Sequence, residues 1–226
     1  MSGTLYIVST PIGNLMDVSH RSLNILSDVD CVLCEDSRIT KRLFNKYNIS
    51  NKLKVINDIN ENSKKDMVVE YLLTGKNLAL VSDAGTPCIS DPGYRIVNSA
   101  KKNNIKVVTI PGPSSVIAAI SISGLPTDNF YFQGFLPKKK GRKTKFEELL
   151  KFDCSIVLFE SPKRVLKTLN DILNFLGDRT VALCRELTKV YEEVKVDKVS
   201  SLIEKKESIK LKGEYVIVIS KKGYKY

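Results

Sequence analysis

Short runs of branched apolar residues recur along the whole chain, and segments with helical spacing separate one run from the next. Unbroken runs rich in Val, Ile and Leu are typical of strands that are buried on both faces. Strands that alternate with helices in this way predict an α/β fold with a largely parallel sheet. Ten runs qualify as strands, at residues 5–9, 31–34, 53–56, 78–81, 107–110, 130–135, 155–159, 180–184, 192–196 and 215–220.

The number of predicted strands also bears on domain organisation. Ten strands are many for a single small sheet in a chain of 226 residues. A change of lobe near residues 111–126, where a PGPSS segment leads into an apolar helix, divides the strands evenly. The sequence therefore predicts two α/β lobes without a long linker, at residues 1–115 and 116–226.

Several helix ends have recognisable signals. Asp17 or Ser19 precedes the first helical pattern as a candidate cap. Asp91 and Ser161 each precede a proline, so each predicts a side-chain cap with proline at the first helical position. Gly177 lies where the helix after Ser161 is expected to stop.

The charge of the chain narrows its partners only in part. A formal net charge of +11 attracts polyanions such as nucleic acid or an anionic membrane surface. A lysine-rich chain can also reflect an AT-rich genome, so charge alone does not decide between the two. Residues 138–145 read KKKGRKTK, with six basic side chains and no acid, and predict a disordered loop.

The cysteines and the start of the chain point to a reducing compartment. Five cysteines are an odd number, and only Cys31 and Cys34 have CxxC spacing. No second Cys or His pair accompanies them, so small core residues are the better interpretation than a zinc or redox site, and no metal is expected. No apolar run reaches the roughly 20 residues of a membrane helix. The first residues do not resemble a signal peptide, which leads us to expect a cytoplasmic protein.

Polar and glycine-bearing loops follow three strands of the first predicted lobe. They read STPIGN at residues 9–14, SDAGTPCISDPG at 82–93 and PGPSS at 111–115. In open α/β sheets, ligands bind beyond the carboxyl ends of the strands. Small residues and Gly85 would let a ligand approach the backbone closely, and Asp83 could accept a hydrogen bond from a ribose hydroxyl or an amino group. Tight turns with helix caps remain the alternative interpretation.

Four further segments lie at predicted strand boundaries. They read EDSR at residues 35–38, FESP at 159–162, CRELTK at 184–189 and KGE at 212–214. Each could be an ordinary strand end. The EDSR segment favours either an internal ion pair or a cluster that faces a substrate.

Taken in order, these segments resemble the ribosomal RNA small-subunit methyltransferase I family of the tetrapyrrole methylase superfamily. The resemblance also includes GLPTDNFYFQGFLP and FESPKR, and it extends from about residue 5 to residue 219. It implies two α/β lobes with S-adenosylmethionine in the cleft between them. It further implies methylation of the 2′-oxygen of a cytidine ribose in the decoding region of 16S ribosomal RNA, on naked RNA or on the small subunit, by a homodimer.

The resemblance also assigns residues to the donor site by position. In the first lobe these are Pro11, Ile12, Asp83, Ala84, Gly85, Thr86, Ser114 and Ser115. The second lobe contributes Phe159, Glu160, Cys184, Arg185, Gly213 and Glu214. Two departures matter: many members have a helical extension after the KGE strand, and many have a His where this chain reads INDIN at residues 56–60.

A proton acceptor for the attacking hydroxyl is sought among the acids. His20 is the one histidine, and a position on a predicted surface helix makes it a poor candidate. Glu35, Asp36 and Asp83 are the better candidates for general base. RNA phosphates are expected to meet two basic clusters, one of Arg38, Lys41 and Arg42 and the other of Lys138, Lys139, Lys140, Arg142, Lys143 and Lys145.

Two other functions remain open at this stage. One is methylation of a carbon atom of a corrin or sirohaem precursor. Enzymes of that kind have a glycine-rich first loop and a PGDP-like second loop, whereas this chain has STPIGN and SDAGTP. The other is a non-catalytic RNA-binding or assembly protein, in which the donor loops would be degraded.

Overall fold

The computed structural model describes residues 2–225 and divides into two compact units. Unit 1 comprises Met1–Ser114 and unit 2 comprises Ser115–Tyr226. The boundary that we proposed from the sequence, between residues 115 and 116, is one residue from this division. Alternating strands and helices in each unit confirm the α/β class.

Within the described residues there are ten strands, and every one of the predicted apolar runs forms a strand. In unit 1 they are β1 (Thr4–Val8), β2 (Cys31–Cys34), β3 (Leu53–Val55), β4 (Leu78–Leu80) and β5 (Lys106–Ile110). In unit 2 they are β6 (Phe130–Phe135), β7 (Ser155–Glu160), β8 (Thr180–Arg185), β9 (Glu193–Lys198) and β10 (Tyr215–Ile219).

The α-helices of the described residues connect these strands. Unit 1 has α1 (His20–Asp28), α2 (Ser37–Lys46), α3 (Glu61–Leu73) and α4 (Tyr94–Lys102). Unit 2 has α5 (Ser115–Ile122), α6 (Arg142–Leu149), α7 (Val165–Leu176) and α8 (Val199–Glu204).

The sheet of unit 1 is entirely parallel, in the order β3-β2-β4-β1-β5. Successive residues of each strand enter cores on opposite faces, as at Leu78 and Ala79 of β4. Helices α1 and α2 cover one face, while α3 and α4 cover the other. Because β1 and β4 are neighbours and the helices that follow them, α1 and α4, lie on opposite faces, a crevice is expected where these two strands end.

The sheet of unit 2 corrects one prediction. Its order is β6-β7-β10-β8-β9, and only the β6–β7 pair is parallel. Strand β10 inserts between β7 and β8 and is antiparallel to both, and β8 pairs antiparallel with β9. The expectation of a largely parallel sheet is therefore right for unit 1 and wrong for unit 2. Apolar runs report burial on both faces and contain no information about strand direction.

Helix starts agree with the sequence in one case and differ in another. Ser19 caps α1 by accepting a hydrogen bond from the backbone N–H of Ser22 at 3.0 Å. The predicted cap at Asp91 is wrong, because α4 begins at Tyr94 and its N-cap is Gly93 at φ +126°. Its free N–H groups are instead satisfied by the carboxylate of Glu61, a residue of α3.

Residues 138–145 do not form the disordered loop that their composition predicts. Residues 138–141 make a turn that ends at Gly141, and α6 begins at Arg142. Arg142 is buried, and its guanidinium donates to Asp171, Thr168 and the Pro137 carbonyl at 2.7, 2.7 and 3.1 Å. This side chain fixes α6 to α7, so the prediction that it binds an RNA phosphate is wrong.

The cysteines behave as core residues. Cys31 packs against the core on one face of the sheet and Cys34 belongs to the core on the other face, so this CxxC pair does not point to one site. All five thiols are free. No cluster of three metal-ligating side chains occurs among residues 2–225, and in the same span no helix is long and apolar enough to cross a membrane.

Candidate functional site

Two loops of unit 1 are joined where β1 and β4 end. Thr10 and Gly85 exchange a pair of backbone hydrogen bonds at 2.9 and 3.0 Å, which makes an isolated bridge between the STPIGN and SDAGTP segments. The hydroxyl of Thr10 also donates to the Ser82 carbonyl at 3.1 Å. The crevice expected at this switch point thus has two rigidly paired walls.

The third loop, which follows β5, is attached to the same pair. Ser9 and Thr86 hydroxyls are hydrogen-bonded at 3.0 Å, and the Thr86 hydroxyl donates to the Pro113 carbonyl at 3.2 Å. A Cβ on Gly112 would lie 3.0 Å from the Cβ of Ser9, so a larger residue there would have to push Ser9 aside by a few tenths of an ångström. The structure therefore brings together the three unit 1 loops that the sequence singled out.

The SDAGTPCISDPG loop at residues 82–93 has several residues in strained backbone conformations. Gly85 has φ +82°, and the non-glycine residues Cys88 and Ser90 have φ of +71° and +63°. Left-handed backbone at a non-glycine residue costs about 1 kcal/mol or more and tends to cluster where a ligand is held. This segment is thus more than a turn that links β4 to α4.

The predicted donor residues of unit 1 differ in accessibility. Pro11, Ile12 and Gly85 are buried, so they shape the loops and offer little side-chain surface. Ala84 is exposed. The remaining ones, Asp83, Thr86 and Ser114, are half-buried, and so is Ser115, the first residue of unit 2.

Asp36 and Asp83 are directly connected. The backbone N–H of Asp36 donates to the Asp83 carboxylate at 2.9 Å. Asp36 itself caps α2 through the N–H of Arg38 and forms an ion pair with the Arg38 guanidinium. That hydrogen-bonded pair lowers the pKa of Asp36 to about 2, so of the three predicted bases it is the weakest. The ion-pair interpretation of EDSR is correct for Asp36 and Arg38.

The half-buried acids Glu35, Asp83 and Asp91 form a cluster in which the negative charges repel one another. Burial raises the pKa of Glu35, and the charges of Asp83 and Asp91 raise it further. Burial also raises the pKa of Asp83, against the lowering effect of the Asp36 hydrogen bond. The pKa of Asp91 rises to about 6, mainly through burial, despite a hydrogen bond with Ser82. Such a cluster favours a ligand that contributes positive charge.

Asp91 is a member of this cluster that the sequence interpretation missed. Its position before a proline indicated a helix cap, and that pattern concealed a half-buried, titratable carboxyl. The signal that could have found it is the second acid in SDAGTPCISDPG, eight residues after Asp83 on one loop.

Glu160 of unit 2 has a fully occupied carboxylate. It accepts hydrogen bonds from the Ser161 N–H at 2.8 Å, the Thr168 hydroxyl at 2.6 Å and the Arg164 guanidinium at 2.9 Å. With Glu160 only 2 % exposed, what it can offer a ligand is its backbone. Its neighbour Phe159 is half-buried and makes edge contacts with Phe132 and Phe135.

Cys184 and Arg185, the last two residues of β8, differ in burial and in what their side chains contact. Cys184 is buried, its thiol contacts the Ala119 carbonyl, and burial raises its pKa to about 12, which keeps it protonated. Arg185 uses its guanidinium to hold two loops, through the carbonyls of Lys212 at 3.0 Å and Tyr191 at 2.9 Å.

The CRELTK and KGE segments of unit 2 are bound to one another. Glu186 accepts the Glu214 N–H at 2.9 Å, and Lys189 donates to the carboxylates of both Glu186 and Glu214, at 3.0 and 2.8 Å. A Cβ on Gly213 would meet the Glu186 side chain at 2.6 Å, so that contact needs glycine. Glu186 and Lys189 are structural partners that the sequence interpretation did not assign.

The predicted RNA-binding side chains are exposed, with two exceptions. Arg38, Lys41 and Arg42 lie exposed on α2. Lys138, Lys139, Lys140 and Lys143 are also exposed, while Lys145 is half-buried and paired with Glu148, and Arg142 is buried.

Known proteins match this chain along nearly its whole length. A sequence profile for tetrapyrrole (corrin/porphyrin) methylases matches residues 4–203. A ribosomal RNA small subunit methyltransferase I of Vibrio cholerae is 46 % identical over 98 % of this chain and 77 % of that protein. One of Thermotoga maritima is 45 % identical over 97 % of this chain and 99 % of that protein. The chain belongs to the ribosomal RNA small subunit methyltransferase I family, within the tetrapyrrole methylases.

Solved structures agree with the tetrapyrrole methylase fold. A diphthine synthase matches with a TM-score of 0.76 at 15 % identity, covering 96 % of this chain and 90 % of the other. A uroporphyrin-III-C-methyltransferase of Thermus thermophilus matches with a TM-score of 0.64 at 17 % identity, over 96 % and 94 %. At such identities the likeness concerns the fold. The methyl donor of the tetrapyrrole methylase family is S-adenosylmethionine.

Proposed function

We propose that this protein methylates ribosomal RNA of the small subunit with S-adenosylmethionine, at the 2′-oxygen of a cytidine ribose in the decoding region of 16S RNA. The observation that carries the proposal is the 40–46 % identity, over nearly all of the chain, to proteins named ribosomal RNA small subunit methyltransferase I. An enzyme that acts on ribosomal RNA would work in the cytoplasm. We further propose that it is a homodimer.

The unit 1 loops have the chemistry that this donor requires. S-adenosylmethionine would supply a methyl group that is attached to a positively charged sulfonium. In an in-line displacement the attacking oxygen would take the methyl group, and the sulfur would leave as a neutral thioether. Glu35, Asp83 and Asp91 repel one another and would be relieved by positive charge. We assign donor contacts in unit 1 to Pro11, Ile12, Asp83, Ala84, Gly85, Thr86 and Ser114, and a further contact to Ser115, the first residue of unit 2.

The loops contribute to the rate by positioning. The paired backbones of Thr10 and Gly85 and the hydroxyl chain from Ser9 through Thr86 to the Pro113 carbonyl hold the loops in one arrangement. Alignment of two reactants in a fixed site can lower the barrier by several kcal/mol. This preorganisation is the main catalytic contribution that we assign to the first three loops.

The attacking hydroxyl must also lose a proton. Glu35 and Asp83 have raised pKa values, which makes them better proton acceptors than Asp36, whose pKa is about 2. We therefore retain Glu35 and Asp83 as the candidate bases. Asp36 acts instead as a positioning residue, since its N–H holds the Asp83 carboxylate.

We assign donor contacts to six further residues in unit 2 and specify what three of them can provide. Glu160, with its carboxylate occupied, would contribute through its backbone. Cys184 contributes a neutral buried thiol, and Arg185 stabilises the neighbouring loops. The others are Phe159, Gly213 and Glu214.

RNA phosphates would contact the exposed cations of both units. These are Arg38, Lys41 and Arg42 on α2, together with Lys138, Lys139, Lys140 and Lys143. Lys145, which is half-buried and paired with Glu148, is kept as a further candidate. Arg142 is withdrawn from this set because it is buried.

The function is tested by supplying labelled donor with three acceptors: small subunits from cells that lack the gene, naked 16S RNA and uroporphyrinogen. Nuclease digestion and mass spectrometry of the RNA should find 2′-O-methylcytidine. Label on a base, or on the tetrapyrrole, would refute the proposed acceptor. Absence of donor binding in calorimetry would instead favour a non-catalytic RNA-binding protein.

The base is tested by single-turnover rates of the Glu35→Gln, Asp83→Asn and Asp36→Asn variants with saturating donor. The variant that lacks the true base should react more slowly by about 100-fold or more, because general base catalysis contributes about that much. Its rate should also lose the pH dependence of the wild type. Asp36→Asn keeps its backbone N–H and is expected to lose less. Full rates in Glu35→Gln and in Asp83→Asn would exclude both as the base.

A further inference from the structure

We propose that the RNA substrate follows the outer edge of β3, across two concavities that continue from the cationic face of α2 to the amino-terminal edge of the unit 1 sheet. We call the lining of these two concavities, together with Arg38 and Arg42, the β3-edge surface. The inference rests on the proposed function, because it names where that same substrate is held.

The first concavity lies between α2 and β3, the outermost strand on its side of the sheet, and has a volume of about 600 Å³. Phe44, Leu53 and Val55 give it an apolar floor, while Ser37, Asn45 and Ser50 are among its polar lining. Lys41 also lines it, and no carboxylate does. An apolar floor with hydroxyl and amide groups around it suits an unstacked base, and the lysine suits its phosphate.

The second concavity, of about 360 Å³, lies where β2, β3 and β4 begin. Lys52, Lys54 and Lys76 all line it, together with Tyr71. The ammonium groups of Lys54 and Lys76 lie 4.6 and 5.0 Å from the centre of the Tyr71 ring, so these two like charges converge on one aromatic side chain.

These three lysines have no anionic partner in the part of the chain that the structure describes. The Lys54 ammonium contacts the Met67 sulfur at 2.9 Å and the Tyr71 hydroxyl at 3.4 Å, both weak acceptors for a cation. Asp30 is the one acid in the lining, and one of its carboxylate oxygens accepts the Asn77 N–H at 2.8 Å. Three lysines against a single carboxylate leave this concave surface with a net positive charge, which suits an anion.

The two concavities are adjacent, and the first one reaches Ser37 at the start of α2, next to the proposed catalytic residues in the sequence. Leu53 lines both of them. At the other end, α2 presents Arg38, Lys41 and Arg42, and its cap Asp36 is hydrogen-bonded to Asp83. Helix α2, with ten residues, is roughly 15 Å long. Together with the two cation-lined concavities, it makes a cationic surface longer than one small phosphate needs. A single RNA strand, with a phosphate at every nucleotide, matches this extent.

The test compares charge-matched double variants of the full protein. Lys52→Gln with Lys76→Gln removes two exposed lysines of the β3-edge surface. Lys101→Gln with Lys102→Gln removes two exposed lysines at the end of α4, outside that surface. A third protein adds Lys54→Met to the first pair. RNA affinity is measured by fluorescence anisotropy at several salt concentrations, donor affinity by calorimetry, and folding by circular dichroism.

We expect the Lys52/Lys76 variant to bind 16S RNA fragments at least tenfold more weakly than the Lys101/Lys102 variant, with a salt slope lower by about 1 to 2. Donor affinity should stay unchanged in both. Equal affinities of the two variants for RNA would overturn the inference. So would pyrophosphate binding that is lost in the Lys52/Lys76 variant while its RNA affinity is kept, because the surface would then serve a small anion.

Failure of the function is distinguishable from failure of this surface. If the wild-type protein bound RNA through β3 but produced no 2′-O-methylcytidine, the surface would stand and the reaction would fall. If wild-type methylation occurred and both double variants bound RNA equally well, the reaction would stand and the surface would fall.

Discussion

At the scale of single residues, Glu61 fixes the end of the SDAGTPCISDPG loop from a distant position in the sequence. Its carboxylate is fully buried and accepts the N–H groups of Gly93 and Arg95 at 3.0 and 2.8 Å, and it pairs with the Arg95 guanidinium at 3.0 Å. The N-terminus of α4 is thus capped by a side chain 32 positions earlier in the chain. Sequence patterns for helix caps involve only residues within a few positions of the start of the helix. They therefore could not identify Glu61, and the prediction at Asp91 failed.

This cap leads to a stability prediction. Glu61→Gln removes the charge from at least three hydrogen bonds, and it should lower the free energy of unfolding by about 2 kcal/mol. Glu70→Gln changes an exposed residue on the same helix and should stay within about 0.5 kcal/mol of the wild type. Urea unfolding curves measure both, and equal midpoints for the two variants would contradict the capping role.

Asp91 should make stability depend on pH. Its folded pKa of about 6 exceeds the ordinary value of 3.8, so the unfolded chain ionises first as the pH rises. Between about pH 4 and pH 6 the wild type therefore loses stability, and the loss is complete above pH 6. Asp91→Asn should be more stable than the wild type by about 1 kcal/mol at pH 7 after solvent screening, and equal to it below pH 4. Thermal unfolding across this range, with exposed Asp66→Asn as control, would show a flat difference if Asp91 were unperturbed.

At the scale of elements, the hydrophobic pattern predicted correctly where strands occur, but it did not predict which strands pair with one another. Every predicted run became a strand, in parallel and antiparallel pairs alike. Burial on both faces accounts for central strands such as β8 and β10, whereas edge strands such as β3 and β9 are only half-buried. The position of β10 between β7 and β8 depends on pairing across the chain, which no local window contains. Helix α6 was concealed for a related reason, since the basic run at its start suggested solvent, whereas Arg142 is buried against Asp171 and Thr168.

Helix α6 allows a direct separation of structural and RNA-binding cations. Arg142→Met leaves Asp171 without its ion-pair partner and Thr168 with Glu160 alone. It should cost about 3 kcal/mol of stability, with RNA affinity unchanged for the folded protein. Changing Lys138, Lys139 and Lys140 together to Gln should do the reverse, leaving stability within about 0.5 kcal/mol and flattening the salt dependence of RNA binding. Chemical denaturation and anisotropy measure the two quantities. The assignment fails if the triple variant binds RNA like the wild type.

At the scale of the whole molecule, the order of motifs was more informative than any one of them. SDAGTP alone is compatible with a turn, but STPIGN, SDAGTP and PGPSS follow β1, β4 and β5, and adjacency of these strands brings the three segments to one edge. Which side chains remain available there could not be read from sequence. Glu160 and Asp36 match donor and base positions, and their carboxylates are already engaged by Thr168 and Arg38.

Donor binding should therefore appear as a gain in global stability that depends on the loop backbone. A ligand present at 100 times its dissociation constant stabilises the folded state by about 2.7 kcal/mol, which raises the unfolding temperature by several degrees in a chain of this size.

Gly85 and Gly141 have φ of +82° and +78°, so replacing either one with alanine should cost about 1 kcal/mol through backbone strain. Only at Gly85 does the new Cβ face the donor loops, 3.4 Å from Ile12, because the space around Gly141 is open. In differential scanning fluorimetry, Gly141→Ala should start lower and keep the full shift with S-adenosylmethionine, whereas Gly85→Ala should start equally low and lose it. Equal shifts in the two variants would show that the donor is held away from the Thr10–Gly85 bridge, since strain alone affects both proteins alike.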